Sequence, residues 1–139
     1  MKPITVLLVD SNQHSLRIVT HFLEVQDNVA VIGTARGSRE ALAQTQALQP
    51  DVVLVDVSTP NGHGLEAISR LRATSPTLGI IALAAVHTGG HWQAALAAGA
   101  DDFIPKFSMS INLLPAIHRI VQVSQTSRAM ASAREPQAL

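Results

Sequence analysis

The feature that most limits this chain is a repeated one. Short Val- and Ile-rich runs, mostly without polar alternation, are separated by longer segments with helical spacing. The runs are "TVLLV" (5–9), "VAVIGT" (29–34), "VVLV" (52–55), "LGIIALA" (78–84) and "DFIP" (102–105). A strand with one wet face alternates apolar and polar residues; a continuous apolar run fits a strand covered on both faces, as in a parallel sheet. Between the runs, Leu16, Val19, Phe22 and Leu23 share one helical face, and Ala41, Leu42, Thr45 and Leu48 share another behind a Ser38 cap. Leu65, Ile68, Leu71 and Arg72 mark a third helix, and Trp92, Ala95, Leu96 and Gly99 a fourth. Leu113, Leu114, Ile117, Ile120 and Val121 mark a fifth. This last helix is expected to start near Leu113 with Asn112 as its cap. Pro115 then falls in the first turn, where amide hydrogens have no partner anyway. The order is (βα)₅, an α/β fold with right-handed crossovers.

Composition sets the outer bounds. A chain of 139 residues is expected to form one domain, and 47% apolar against 14% charged residues suits a well-filled core. Residues 1–123 are read as the globular domain and 124–139 as a helical extension or linker-like tail. Lys plus Arg equals Asp plus Glu, so nothing points to direct nucleic-acid binding. The absence of cysteine removes disulfides and thiolate metal sites. The N-terminal apolar run is too short for a signal-peptide core or a membrane span, so a soluble cytoplasmic protein is expected.

The chemistry gathers at strand ends. In a parallel sheet the carboxyl ends of the strands share one edge, where α/β folds bind ligands. Asp10 ends the first run, Asp56 the third, and Lys106 follows the fifth. Each has a plain structural explanation: Asp10 as a helix cap, Asp56 as a turn former, Lys106 as a solvated loop residue. Two carboxylates and an ammonium converging from three strand ends are harder to explain that way.

Three stretches carry a resemblance: "LLVDSNQHSLR", "PDVVLVDVSTPNGHGLEAI" and "AGADDFIPKFS". Over roughly residues 4 to 123 the chain resembles the receiver domain of two-component response regulators, with its CheY-like, flavodoxin-like fold. The "GADDFIPK" wording is most similar to regulators that carry a LuxR-type helix-turn-helix output domain. The resemblance implies a five-stranded sheet in order 2-1-3-4-5 with helices on both faces. It implies that Asp56, followed by Pro60, Gly64 and Leu65, accepts a phosphoryl group from a histidine kinase or phosphotransfer protein. It implies Mg²⁺ held by Asp10, Asp56 and the main-chain carbonyl of Ser58. Lys106 would pair with a phosphoryl oxygen, and Phe103 would be the aromatic switch. Output would pass through helix four, strand five and helix five, the face also expected to form a homodimer. No turnover enzyme is implied.

Three positions depart from that pattern. Ser11 stands where a second acid is usual, so Mg²⁺ is expected to bind weakly. Ala84 stands where a hydroxyl usually couples the phosphoryl group to the aromatic switch, and alanine has no hydroxyl to donate. Phe107 follows Lys106 in place of proline, so a trans bond is expected there. Two further readings therefore stay open. One is a phosphorylation-independent pseudo-receiver, acting as an interaction or dimerisation module. The other is a metal or ligand sensor built on a histidine-rich edge, since His14, His63 and His87 fall near the same strand ends, with His91 close by. Exposed loop histidines are the plainer explanation of that spacing.

Overall fold

Every strand of the sheet runs parallel to its neighbours, in the order β2-β1-β3-β4-β5. The computed structural model describes residues 2–58, 63–85 and 89–134. The strands are β1 (Ile4–Val9), β2 (Val29–Ala35), β3 (Val52–Asp56), β4 (Gly79–Ala84) and β5 (Asp102–Pro105). The helices are α1 (Gln13–Glu24), α2 (Ser38–Leu48), α3 (His63–Thr74), α4 (Gly89–Ala98) and α5 (Met109–Arg134). A 3₁₀ turn over Lys106–Ser108 leads into α5. The expected (βα)₅ architecture is present.

Every residue of β3 and β4 is buried, as their unbroken apolar runs require. Successive side chains point to opposite faces. Val6, Leu8, Val52, Leu54, Ile81 and Leu83 face α1 and α5, where Leu23, Leu113 and Ile117 meet them. Leu7, Val53, Val55, Ile80 and Ala82 face the other layer, built from α2, α3 and α4 around Ala41, Ile68, Leu71 and Ala95. A fully buried Leu or Ile stabilises by about 1.5–3 kcal/mol. Two layers of such residues can hold two carboxylates, Asp10 and Asp56, below the surface at one edge.

Glycines bring two elements unusually close. A Cβ on Gly64 would stand 2.2 Å from the carbonyl oxygen of Asp56, so the first turn of α3 can lie against the end of β3 only because residue 64 has no side chain. Gly99, at φ +122°, closes α4, and a Cβ there would stand 2.8 Å from Arg72. Arg72 itself leaves the apolar face of α3 expected for it. It donates to the carbonyls of Gly99 (2.9 Å), Pro76 (2.9 Å) and Leu78 (2.7 Å) and pairs with Asp101 (2.8 Å). It thereby ties α3 to the segments before β4 and β5, at the far end of the sheet from Asp56.

Several boundaries correct the sequence reading. Gly37, not Ser38, caps α2; Ser38 is already helical, and the Gly37 carbonyl accepts from the Ala41 amide at 2.9 Å. The α4 positions Trp92 and Leu96 are exposed, while Ala95 is buried and Ala98 packs against the same cluster. The larger correction is α5, which starts at Met109 and carries Pro115 inside it. Met109 is buried and anchors an earlier first turn in the core. Pro115 and Ile111 both lie on an exposed face, and Pro115 has no amide to offer the Ile111 carbonyl one turn back. At its other end α5 runs through Ser124, buried with its hydroxyl on the Thr77 carbonyl, to Arg134.

Candidate functional site

β1 closes at Val9, and the Asp10 amide continues the ladder by donating to Ala35 at 2.9 Å. Asp10 is therefore fixed by backbone pairing, not by capping α1. The cap is Asn12, whose side chain accepts from the Ser15 amide at 2.9 Å. The two carboxylates are held alike. Asp10 Oδ1 accepts from the Asn12 amide at 2.9 Å, and Asp56 Oδ1 accepts from the Ser58 amide at 2.8 Å. Each Asp is thus oriented by the amide two residues on, with its Oδ2 turned to the same cation. Lys106 Nζ lies 2.5 Å from Asp56 Oδ2 and 3.8 Å from Asp10 Oδ2. It also donates to Ser15 Oγ. Asp56 Oδ2 meets the ammonium by charge, off the hydrogen-bonding directions, and no other described group hydrogen-bonds to it.

The structure thus brings together three of the residues expected at the site: Asp10, Asp56 and Lys106. Ser11 and Ser58 border them. Asp10, Ser11, Arg36, Asp56, His63 and Gly64 are among the residues that line a cavity of about 10 Å³, the room of roughly one water. Its carboxylate and hydroxyl oxygens are hard donors of the kind Mg²⁺ prefers. A wider cleft of about 290 Å³ lies at the opposite end of β4, but its Arg72 is spent on backbone carbonyls and Asp101.

Ala84 is wholly buried, in one apolar cluster with Val57, Ala82, Ala95 and Phe103. The expected aromatic switch is thus an inward-facing ring in this structure. No described peptide bond is cis, so Phe107 follows Lys106 through a trans bond. Pro60 and His87 lie outside the described residues. Among the described residues no cluster of three or more His, Cys, Asp or Glu side chains could hold a metal, which leaves the histidine-edge sensor without support there.

Two contributors escaped the sequence reading. Ser15 binds Lys106 across 91 residues of chain. The Ser58 hydroxyl accepts from the Ala85 amide at 2.6 Å, joining the ends of β3 and β4.

Residues 6–118 match the family model of the response regulator receiver domain. The chain belongs to the response regulator receiver family. Among curated relatives, this receiver is 39% identical over 115 residues to a protein-glutamate methylesterase/protein-glutamine glutaminase of Geobacillus kaustophilus, covering 81% of the chain and 33% of that protein. It is 34% identical over 134 residues to the protein of the same description from Symbiobacterium thermophilum, covering 94% of the chain and 36% of that protein. The receiver thus spans about a third of the length of these curated relatives. Among solved structures it is similar to the response regulator domain of Thermotoga maritima CheB, at TM-score 0.76 and 26% identity, covering 87% of the chain and 98% of that domain. A LuxR-family response regulator from Aurantimonas shares the fold at TM-score 0.78 and 24% identity, covering 87% of the chain and 86% of that protein.

Proposed function

We propose that this receiver accepts a phosphoryl group on Asp56 from a phosphohistidine of a kinase or phosphotransfer protein in the cytoplasm. The observation that carries the reading is the pairing of Lys106 Nζ with Asp56 Oδ2 at 2.5 Å beside a second buried carboxylate, Asp10. Asp56 Oδ1 is engaged by a backbone amide, which supports Oδ2 as the attacking atom. A new P–O bond forms to Oδ2 as the P–N bond breaks. The bonding pair stays on the imidazole nitrogen, and the product is an acyl phosphate. Lys106 then moves its charge from Oδ2 to a phosphoryl oxygen, with Ser15 Oγ holding the ammonium in place. Asp10, Asp56, the Ser58 carbonyl and, weakly, Ser11 are the groups that would hold Mg²⁺, which when bound neutralises phosphoryl oxygens. The family's receivers serve as switches and not as turnover enzymes, and the same role is proposed here. The test is acetyl phosphate with Mg²⁺, read by intact mass. The expected result is one added phosphoryl group, absent in Asp56→Asn. An unlabelled wild type, or a labelled Asp56→Asn, overturns the reading.

The pseudo-receiver reading draws on a specific observation: Ala84 is buried with Phe103 and offers no hydroxyl to a phosphoryl group. In either reading the α4–β5–α5 face is proposed as a homodimer surface, supported by the exposure of Trp92 and Leu96 one helical turn apart on α4. A dimer is expected in sedimentation at high concentration, and Leu96→Glu should return it to monomer. A wild type that stays monomeric throughout counts against this surface.

A further inference from the structure

We infer that Ser58 supplies the link to β4 that Ala84 cannot, so that the state of Asp56 reaches the end of β4 at Ala85 through the Ser58 hydroxyl. The inference rests on Asp56 being the phosphoryl acceptor. Ser58 makes two bonds in opposite directions. Its amide donates to Asp56 Oδ1 at 2.8 Å, and its Oγ accepts from the Ala85 amide at 2.6 Å. One residue therefore spans from the carboxylate to the first residue past β4. The frame around it is fixed, because the Val57 amide donates to the Leu83 carbonyl at 2.8 Å and Gly64 packs on Asp56 and Val57. Ala84 lies between Leu83 and Ala85 with its methyl in the Phe103 cluster, so a shift of the Ala85 amide is passed directly to that cluster.

The hydroxyl has the right valence for this task. Accepting from Ala85 leaves its own hydrogen free to donate. A phosphoryl group on Asp56 brings three strong acceptor oxygens to the same edge. A hydroxyl that donates to one of them becomes a better acceptor for Ala85, because linked hydrogen bonds polarise one another. The phosphorylated state then gains a contact that the resting state lacks, which is what a population shift requires.

The test uses the whole chain. Amide resonances of Ala85 and ring resonances of Phe103 are recorded by NMR before and after labelling with acetyl phosphate and Mg²⁺. Wild type, Ser58→Ala and Ser58→Thr are compared at equal occupancy of Asp56, fixed by mass. Labelling should move both sets of resonances in wild type, leave them nearly unmoved in Ser58→Ala, and move them again in Ser58→Thr, which restores the hydroxyl. In unlabelled protein, amide exchange at Ala85 should be about fivefold faster in Ser58→Ala, the effect of losing one ordinary hydrogen bond. A labelled wild type whose Ala85 amide stays put overturns the inference, as does a labelled Ser58→Ala that responds like wild type. A wild type that takes no phosphoryl group fails at the mass measurement and overturns both the acceptor reading and this one.

Discussion

At residue 11 the chain carries a hydroxyl beside a cavity whose acids are Asp10 and Asp56 and whose lining also includes Arg36 and His63. A hydroxyl can ligate Mg²⁺ but adds no charge. A unit charge at 4 Å is worth about 1–4 kcal/mol between bulk water and a protein surface, and more against a divalent ion. Ser11→Asp is therefore expected to tighten Mg²⁺ by at least about tenfold and to raise the rate of labelling at low Mg²⁺. Calorimetry with Mg²⁺ and timed mass spectra check this; equal affinity in the two proteins would remove Ser11 from the site. Asp10, Asp56 and Lys106 were legible in the sequence because each stands at the end of an apolar run, and a parallel sheet sends those ends to one edge. Ser15 and the Ser58 hydroxyl were not legible. Their partners, Lys106 and Ala85, are 91 and 27 residues away, and serine occurs too commonly in first turns and loops to stand out. Arg72 was misread for a related reason: helical spacing placed it on the apolar face, but the carbonyls it binds belong to later turns that spacing cannot locate.

Strands were easier to place than helices. Their continuous apolar runs end abruptly at charged or turn residues, and the boundaries fall within a residue of those expected. Helix starts depend on what the first turn packs against, and α5 shows this most clearly. Local chemistry favoured Asn112 as a cap, so that Pro115 would cost nothing. The 3₁₀ turn over Lys106–Ser108 and the burial of Met109 outweigh it, and the helix accepts an interior proline. A proline in a helix interior costs about 3 kcal/mol, while its restriction of the unfolded chain returns about 0.4–1 kcal/mol. Pro115 is exposed, so Pro115→Ala opens no cavity. It should stabilise the protein by the difference, about 2–2.6 kcal/mol, raising Tm by several degrees in thermal unfolding, with labelling of Asp56 unchanged. A Tm that falls would mean that the proline serves the 3₁₀ turn and Lys106, not merely tolerates them.

For the molecule as a whole, the sheet is one body with chemistry at its carboxyl edge and clasps at its amino edge. There Asp51 accepts from the Thr5 amide at 2.8 Å, and Asp101 accepts from the Ile80 amide at 2.8 Å. A switch requires two packings of this body that differ in their contacts with the phosphoryl group. Ala84→Thr tests where that difference can be installed. Residue 84 is fully buried beside Phe103, so the added atoms overpack the resting state by about 1–3 kcal/mol. The added hydroxyl also needs a partner in an apolar cluster, and one left without a partner costs about 1–3 kcal/mol more. Unlabelled Ala84→Thr should therefore melt several degrees below wild type. A phosphoryl group on Asp56 supplies an acceptor, and the hydroxyl can reach it only if the end of β4 moves toward Asp56. Labelling should then restore much of the lost Tm, so that the rise on labelling is larger in Ala84→Thr than in wild type. The comparison is made at equal occupancy by mass, because any group present on the folded state alone shifts Tm by its own linkage. Equal rises in the two proteins would place the bistable element elsewhere than the end of β4, and would leave Phe103 a core residue only.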